Sequence, residues 1–186
     1  MTIPTDNAHR VASRGWPFRP SVFFLVLIVG IGSCGGPAAD DRTSAPSGAV
    51  PAGIEACTPT DQGRYVYRPA RLQTLAQCIR VIGTVMGSST EADGDIHINV
   101  RLDDAYRGVL TPGNEFEDGD LIVEPVCQVA PPQADAIRIC ASDPAPLERV
   151  PRVGDHVWLE GRYVLDLQHH AWAELHPLYR WDVVGP

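Results

Sequence analysis

Five side chains in the second half of the chain could bind a cation or move a proton: Asp95, His97, Glu124, Glu174 and His176. Trp172, Glu174 and His176 follow one another at every second position. On a strand this spacing sets them on one face and turns Ala171, Ala173 and Leu175 to the other. Imidazoles and carboxylates brought together from neighbouring strands can hold a divalent transition metal or form a proton-transfer pair. The expected ligand face is therefore His97, Glu124, Trp172, Glu174 and His176, and the expected metal set is Asp95, His97 and His176. A plainer reading competes, because period-2 alternation puts polar residues on a strand's solvent face simply because water is there. The distance between His97, Glu124 and His176 decides between the two. Separations beyond about 10 Å would rule out a shared metal, whose ligand bonds are near 2 Å.

Other polar and aromatic residues are weaker candidates. His169 and His170 fall in a hairpin turn, where exposure is the default, and His156 opens a strand as a surface residue. Trp158, Trp172 and Trp181 could form an aromatic ligand platform, although each also suits a core or barrel-end position. Arg162 and Tyr163 fit a satisfied strand pair. Asp93-Gly94-Asp95, ahead of a strand ending in Arg101-Leu102-Asp103, superficially resembles thermonuclease-like enzymes. In that reading Asp95 and Asp103 hold a hard cation and Arg101 steadies a phosphate. The short spacing and the lack of a basic substrate-guiding surface argue against it. Neither a GxSxG nor an HExxH signature is present in the sequence.

Five strand patterns position these groups. They are Ile79–Val85, with Gly83 a candidate bulge; Ile96–Leu102; Leu121–Val126; about His156–Leu165; and Ala171 to about Val184. In the second, Ile96, Ile98, Val100 and Leu102 share one face, with His97, Asn99 and Arg101 on the other. Pro177 interrupts the fifth and belongs at an edge or bulge. Short helices are expected over Arg71–Cys78 and Gln133–Ile139. Such a chain is all-β, and five strands with a short insert before the fourth suit a small closed or partly closed barrel. A sandwich fragment is the competing arrangement.

Cys57, Cys78, Cys127 and Cys140 are an even set, which in an exported protein favours disulfides over free thiols. Three pairings exist. Cys127 with Cys140 closes a loop containing Pro131-Pro132 and is preferred, which leaves Cys57 with Cys78. No CxxC spacing supports zinc.

The N-terminal region gives an address. Arg10, Arg14 and Arg19 precede an apolar run from Val22 to Ile31, followed by Gly32, Ser33 and Cys34, the order of an export signal. Ten apolar residues fall short of the roughly 20 a spanning helix needs. Ile31-Gly32-Ser33-Cys34 resembles the lipobox of bacterial lipoproteins. That resemblance implies that residues 1–33 are removed, that Cys34 carries lipid, and that the protein is held on the extracytoplasmic side of a membrane. Residues 34–56 are rich in Gly, Ala, Pro and Ser and read as a flexible tether, with a coil span of about 25 Å. Residues 57–186 form one domain.

Composition removes several functions. The chain has no lysine, which excludes Schiff-base chemistry and a Walker-type phosphate loop. Loss of residues 1–33 takes away three arginines and one aspartate, so the formal charge goes from −8 to −10. Nucleic acid is a poor partner for such a domain.

A second resemblance covers about Arg71 to Val184. It rests on Cys78 with Gly83-Thr84-Val85, Asp93-Gly94-Asp95-Ile96-His97, Val123-Glu124 with Cys127, Val153-Gly154-Asp155-His156-Val157, Gly161 to Asp166, and Trp172 to Pro177. These stretches resemble a group of exported bacterial domains regarded as OB-like β-barrels. Ala171 stands where that group has Gly, so the turn at His169-His170 is expected to differ. The resemblance implies a fold and brings no activity. The sequence thus points to a membrane-anchored binding or interaction module, taking a small ligand or an envelope protein. No cofactor is required, although a divalent metal could be bound. A metal-dependent hydrolase and a structural envelope protein are the alternatives.

Overall fold

The computed structural model describes residues 50–142 and 147–185. The expected export segment, Cys34 and the expected tether up to residue 49 lie outside the described residues, whereas Glu55–Ala56 at the end of that expected tether pair with Arg80 and Ile79. Among those described, no helix is long and apolar enough to cross a membrane.

Six strands form one sheet: β1 (Glu55–Ala56), β2 (Leu72–Thr90), β3 (Ile96–Leu102), β4 (Leu121–Val123), β5 (His156–Asp166) and β6 (Trp172–Val183). Their order is β1-β2-β3-β4-β6-β5, and β5 pairs back onto β2, closing a ring of five strands with β1 outside it. Every ring pairing is antiparallel except β4 with β6, which run parallel. The single α-helix among the described residues, α1 (Ala134–Cys140), follows β4.

The core fills the ring with the inward residues that alternation selects. Ile98, Val100 and Leu102 of β3 meet Val81 and Val85 of β2, Leu159 of β5 and Leu175 of β6. Burying each such side chain stabilises the fold by about 1.5–3 kcal/mol relative to exposure. A smaller cluster of Tyr65, Val66, Val126 and Cys127 lies beside it. Cys57 with Cys78 and Cys127 with Cys140 stand at disulfide-bonding distance.

Several local expectations need correction. Leu72–Cys78 is not a helix: it begins β2 and pairs with β5 from Leu72 opposite Asp166 onward. The sequence there is rich in helix formers, but the long ladder to β5 outweighs that weak local preference. Gly83 pairs regularly with Leu102, and the irregularities of β2 fall instead at Met86 against β3 and on either side of Ala76 against β5. The third strand stops at Val123, three residues early, because the regular parallel ladder would need an N–H from Pro177 for Glu124 O, and Leu178 N–H donates there instead. Glu124 N–H donates to Leu175 O, and Pro125 has no N–H to give. The second helix starts one residue later than expected, at Ala134.

Pro177 does occupy a bulge. Gly161 pairs with Leu178 and Tyr163 with Leu175, so Arg162 faces two residues, His176 and Pro177. Pro177 lacks an N–H, so the ladder loses nothing by breaking there. Gly161 is required opposite, since a Cβ on it would lie 2.8 Å from Pro177 O and 2.9 Å from Leu175 Cβ.

Candidate functional site

The bulge builds the site. Glu124 N–H donates to Leu175 O, and Leu178 N–H donates to Glu124 O, both at 2.9 Å. Glu124 is thereby held across the two-residue bulge that carries His176. His97 reaches the same point from β3, whose Ile98 pairs with Val123.

The three side chains meet on one carboxylate. His176 Nδ1 lies 2.7 Å from Glu124 Oε2, and His97 Nδ1 lies 3.2 Å from Glu124 Oε1. The contacts continue outward on both sides. His176 Nε2 is 3.5 Å from Asp95 Oδ2, and His97 Nε2 is 3.5 Å from Glu117 Oε2. Asp95, His176, Glu124, His97 and Glu117 therefore form an alternating file of carboxylates and imidazoles, running from the protein interior to its surface. Glu117 at the outer end also accepts a hydrogen bond from Asn99 Nδ2 (2.9 Å).

A second set of charges braces the file. Arg71 donates to Asp166, and its guanidinium stands 3.6 Å from Glu174 Oε1 and 3.7 Å from Glu124 Oε2. Glu174 also accepts from Trp172 Nε1 (2.9 Å) and lies 3.2 Å from His176 Nδ1. Asp166 accepts the backbone N–H groups of Gln168 and His169, which fixes the β5–β6 turn above the site. The His169 ring stacks on Trp172, with centroids 4.9 Å apart.

Burial and charge set the protonation states. For Glu124, burial alone would push the pKa up, but the charge and hydrogen bond of His176, the bond from His97 and the charge of Arg71 outweigh it. Its carboxyl stays ionised well below the usual range. Burial pulls His176 down, and the Glu124 charge with Asp95 and Glu174 more than reverses this, so its pKa lies well above the ordinary value. His97 shows the same balance and is also raised, chiefly through Glu124. Burial prevails at Asp95, whose carboxyl is raised although His176 and the Cys127 N–H act against it.

Above this file opens a cleft of about 600 Å³. Glu91, Asp93, Glu117 and Glu124 bring acid to its wall, His97 and Trp172 line it, and Arg68 and Arg71 are its guanidinium groups. Arg71 is already committed to three carboxylates, and Arg68 has Asp135 at 3.6 Å. Glu124 is likewise committed to His176, His97 and Arg71, and Glu117 to His97 and Asn99, so the charge left uncommitted on the wall is that of Glu91 and Asp93. No family model, curated protein or solved structure matches this chain. What the cleft can do has to be read from its own side chains.

All five residues of the expected ligand face come together here, but not as a solvent face. Glu174 and His176 are fully buried and Trp172 is 9 % exposed, so alternation on β6 separates an apolar interior from a buried polar cluster. Of the expected metal set, Asp95 and His176 are adjacent, whereas His97 sits on the far side of Glu124. The thermonuclease-like arrangement does not assemble. Asp95 and Asp103 bracket β3, roughly 25 Å apart along an extended strand. Arg101 pairs with Asp120, and Asp103 with His156. The three tryptophans share no platform, because Trp158 pairs with Asp182 at one end of β5 and Trp172 with Asp166 at the other. Arg162 donates to His176 O and Tyr163 to Val109 O, as satisfied structural groups.

Arg71, Asp166 and Glu117 are the members the sequence did not single out for chemistry. Arg71 lies just before β2 and Asp166 ends β5, and only the Leu72–Asp166 register brings them together. Asp166 does close the Gly161–Asp166 stretch that carries the resemblance.

Proposed function

We propose that this chain is a lipid-anchored envelope protein whose domain is an OB-like barrel that binds a small, polar, positively charged ligand and releases it unchanged. Support for the OB-like reading comes from the ring order, the single parallel step between its third and fifth strands, and the helix after the third. In such barrels ligands are held on the second and third strands and on the loops after the first and fourth. The cleft here draws His97 and Asn99 from the second ring strand, Glu124 from the end of the third, Glu91 and Asp93 from the first of those loops, and Gln168 and His169 from the other. The observation that carries the reading is the convergence of His97 and His176 on Glu124 beneath an acid-rich cleft.

A binding role suits this arrangement better than hydrolysis. Asp95 and His176, the pair best placed to hold an ion, are 1 % and 0 % exposed and are sealed from any substrate in the cleft. Isothermal titration calorimetry of the full chain in detergent micelles, with arginine, spermidine and choline as probes, tests the reading. One of the three should bind at one equivalent, and Glu91→Gln with Glu117→Gln should weaken it about tenfold, the size of effect expected for charge-assisted bonds. Heat only from anionic or neutral probes would contradict it. For the anchor, Cys34→Ser should release the protein from the membrane fraction, and continued acylation would refute lipidation at that residue.

A further inference from the structure

The geometry points to a second, separate site: a divalent transition-metal site of the zinc type, sealed inside the domain, with Asp95 Oδ2 and His176 Nε2 as ligands. Both atoms are buried and without a hydrogen-bond partner. At 3.5 Å apart they are too distant for a good hydrogen bond to each other. Leaving two such atoms unsatisfied in the interior costs about 1–3 kcal/mol each. An ion 2.0–2.1 Å from each, the usual Zn–N and Zn–O range, would see them at roughly 115°, close to a tetrahedral angle.

The surroundings are those of a metal-bound histidine. His176 directs its other nitrogen, Nδ1, at Glu124 Oε2 2.7 Å away. A carboxylate in that position fixes the ring's tautomer and orientation and raises its basicity toward a metal on the opposite nitrogen. Asp95 is held equally firmly, since its other oxygen accepts the Cys127 N–H at 2.7 Å. Ligand atoms from Asp95, Glu124 and His176 all lie within 4.8 Å of one another. The third buried orphan atom among the described residues is Gln62 Oε1, in the 3-10 turn Asp61–Tyr65. That turn packs over the same corner: Gly63 abuts the Arg162 guanidinium, and Arg162 donates to His176 O. On binding, the ion replaces the proton on Nε2, which leaves to solvent, and Asp95 binds as the carboxylate. The ion's charge is met by Asp95 directly and by Glu124 through the ring. This site lies behind the cleft and does not depend on the cleft's ligand.

Cobalt and zinc binding to the full chain in micelles tests the proposal, with metal content measured after removal of free ion. One equivalent should bind, with cobalt absorption that saturates at that ratio and is displaced by zinc. Asp95→Asn and His176→Gln should each weaken it by at least about 100-fold, Glu124→Gln by about 10–100-fold, and Glu117→Gln should leave it unchanged. Should the first two variants fail to fold, anomalous scattering at the zinc edge from crystals of the wild-type protein decides. A peak between Asp95 Oδ2 and His176 Nε2 is expected. A peak elsewhere, an ordered water there instead, or no stoichiometric binding by the wild type would overturn the proposal.

Discussion

His176 Nδ1 lies 2.7 Å from Glu124 Oε2, and neither side chain has more than a trace of solvent contact. Buried ion pairs seldom add net stability over apolar replacements, but removing one partner alone is severe, at about 3–5 kcal/mol. His176→Leu should therefore lower unfolding stability by about that amount in urea titrations. Glu124→Gln keeps the shape but leaves His176, His97 and Arg71 without the negative charge they share, so it should cost a similar amount, about 3–5 kcal/mol. A loss from Glu124→Gln much smaller than that from His176→Leu would mean the pair does not work as one charged unit.

Glu160 provides a pH prediction away from the cleft. Burial pushes its carboxyl up, yet bonds from Arg80 (2.6 Å) and Arg180 (2.7 Å) outweigh burial and hold its pKa below the ordinary value. A carboxyl depressed in the folded state stabilises fully above its unfolded pKa, about 4.3, and this contribution is lost as pH falls through the lower folded value. The melting-temperature gap between the wild type and Glu160→Gln should be widest near pH 7 and close steadily below about pH 4. A gap that widened in acid would show that Glu160 is buried as the neutral acid.

Gly113 fixes the turn over the cleft. A Cβ there would lie 2.4 Å from His170 O and 2.6 Å from Trp172 N, backbone atoms that cannot swing aside. Gly113→Ala should cost about 1–3 kcal/mol through overpacking and disturb the Trp172 fluorescence. Ala171 is the converse case, with φ 53° in the left-handed region. Ala171→Gly should stabilise by about 1 kcal/mol, read as a small rise in melting temperature.

Much of this arrangement was legible in the sequence, and the failures have physical reasons. Alternation located β3, β5 and β6, and Pro177 announced its bulge because a residue without an N–H cannot join a ladder. The meeting of His97, Glu124, Trp172, Glu174 and His176 followed from residue type and spacing. Their burial did not, because period 2 states which residues share a face and is silent on what covers that face. Arg71 and Asp166 went unnoticed for the same reason. Their partnership is made by pairing across 95 residues, and the helix-forming composition after Arg71 concealed where β2 begins.

The two cysteine pairs close loops with sequence separations of 21 and 13 residues. Each should contribute about 3 kcal/mol on the chain-entropy account. Replacing Cys127 and Cys140 together with Ser should cost that much in denaturant titrations. It should also loosen Asp95, whose Oδ1 is held by the Cys127 N–H. Protection of that amide against hydrogen exchange should fall more than that of the β3 amides.

The central claim is that a cationic ligand enters the cleft and meets the carboxylates beside His97. Imidazole nitrogen NMR of the full chain in micelles, recorded while arginine, spermidine or choline is added, tests it most directly. With the probe that binds, the His97 signals should move and saturate at one equivalent, while those of His156, paired with Asp103 outside the cleft, stay in place. Saturable shifts confined to His156, or none at His97 with any of the three, would contradict the account.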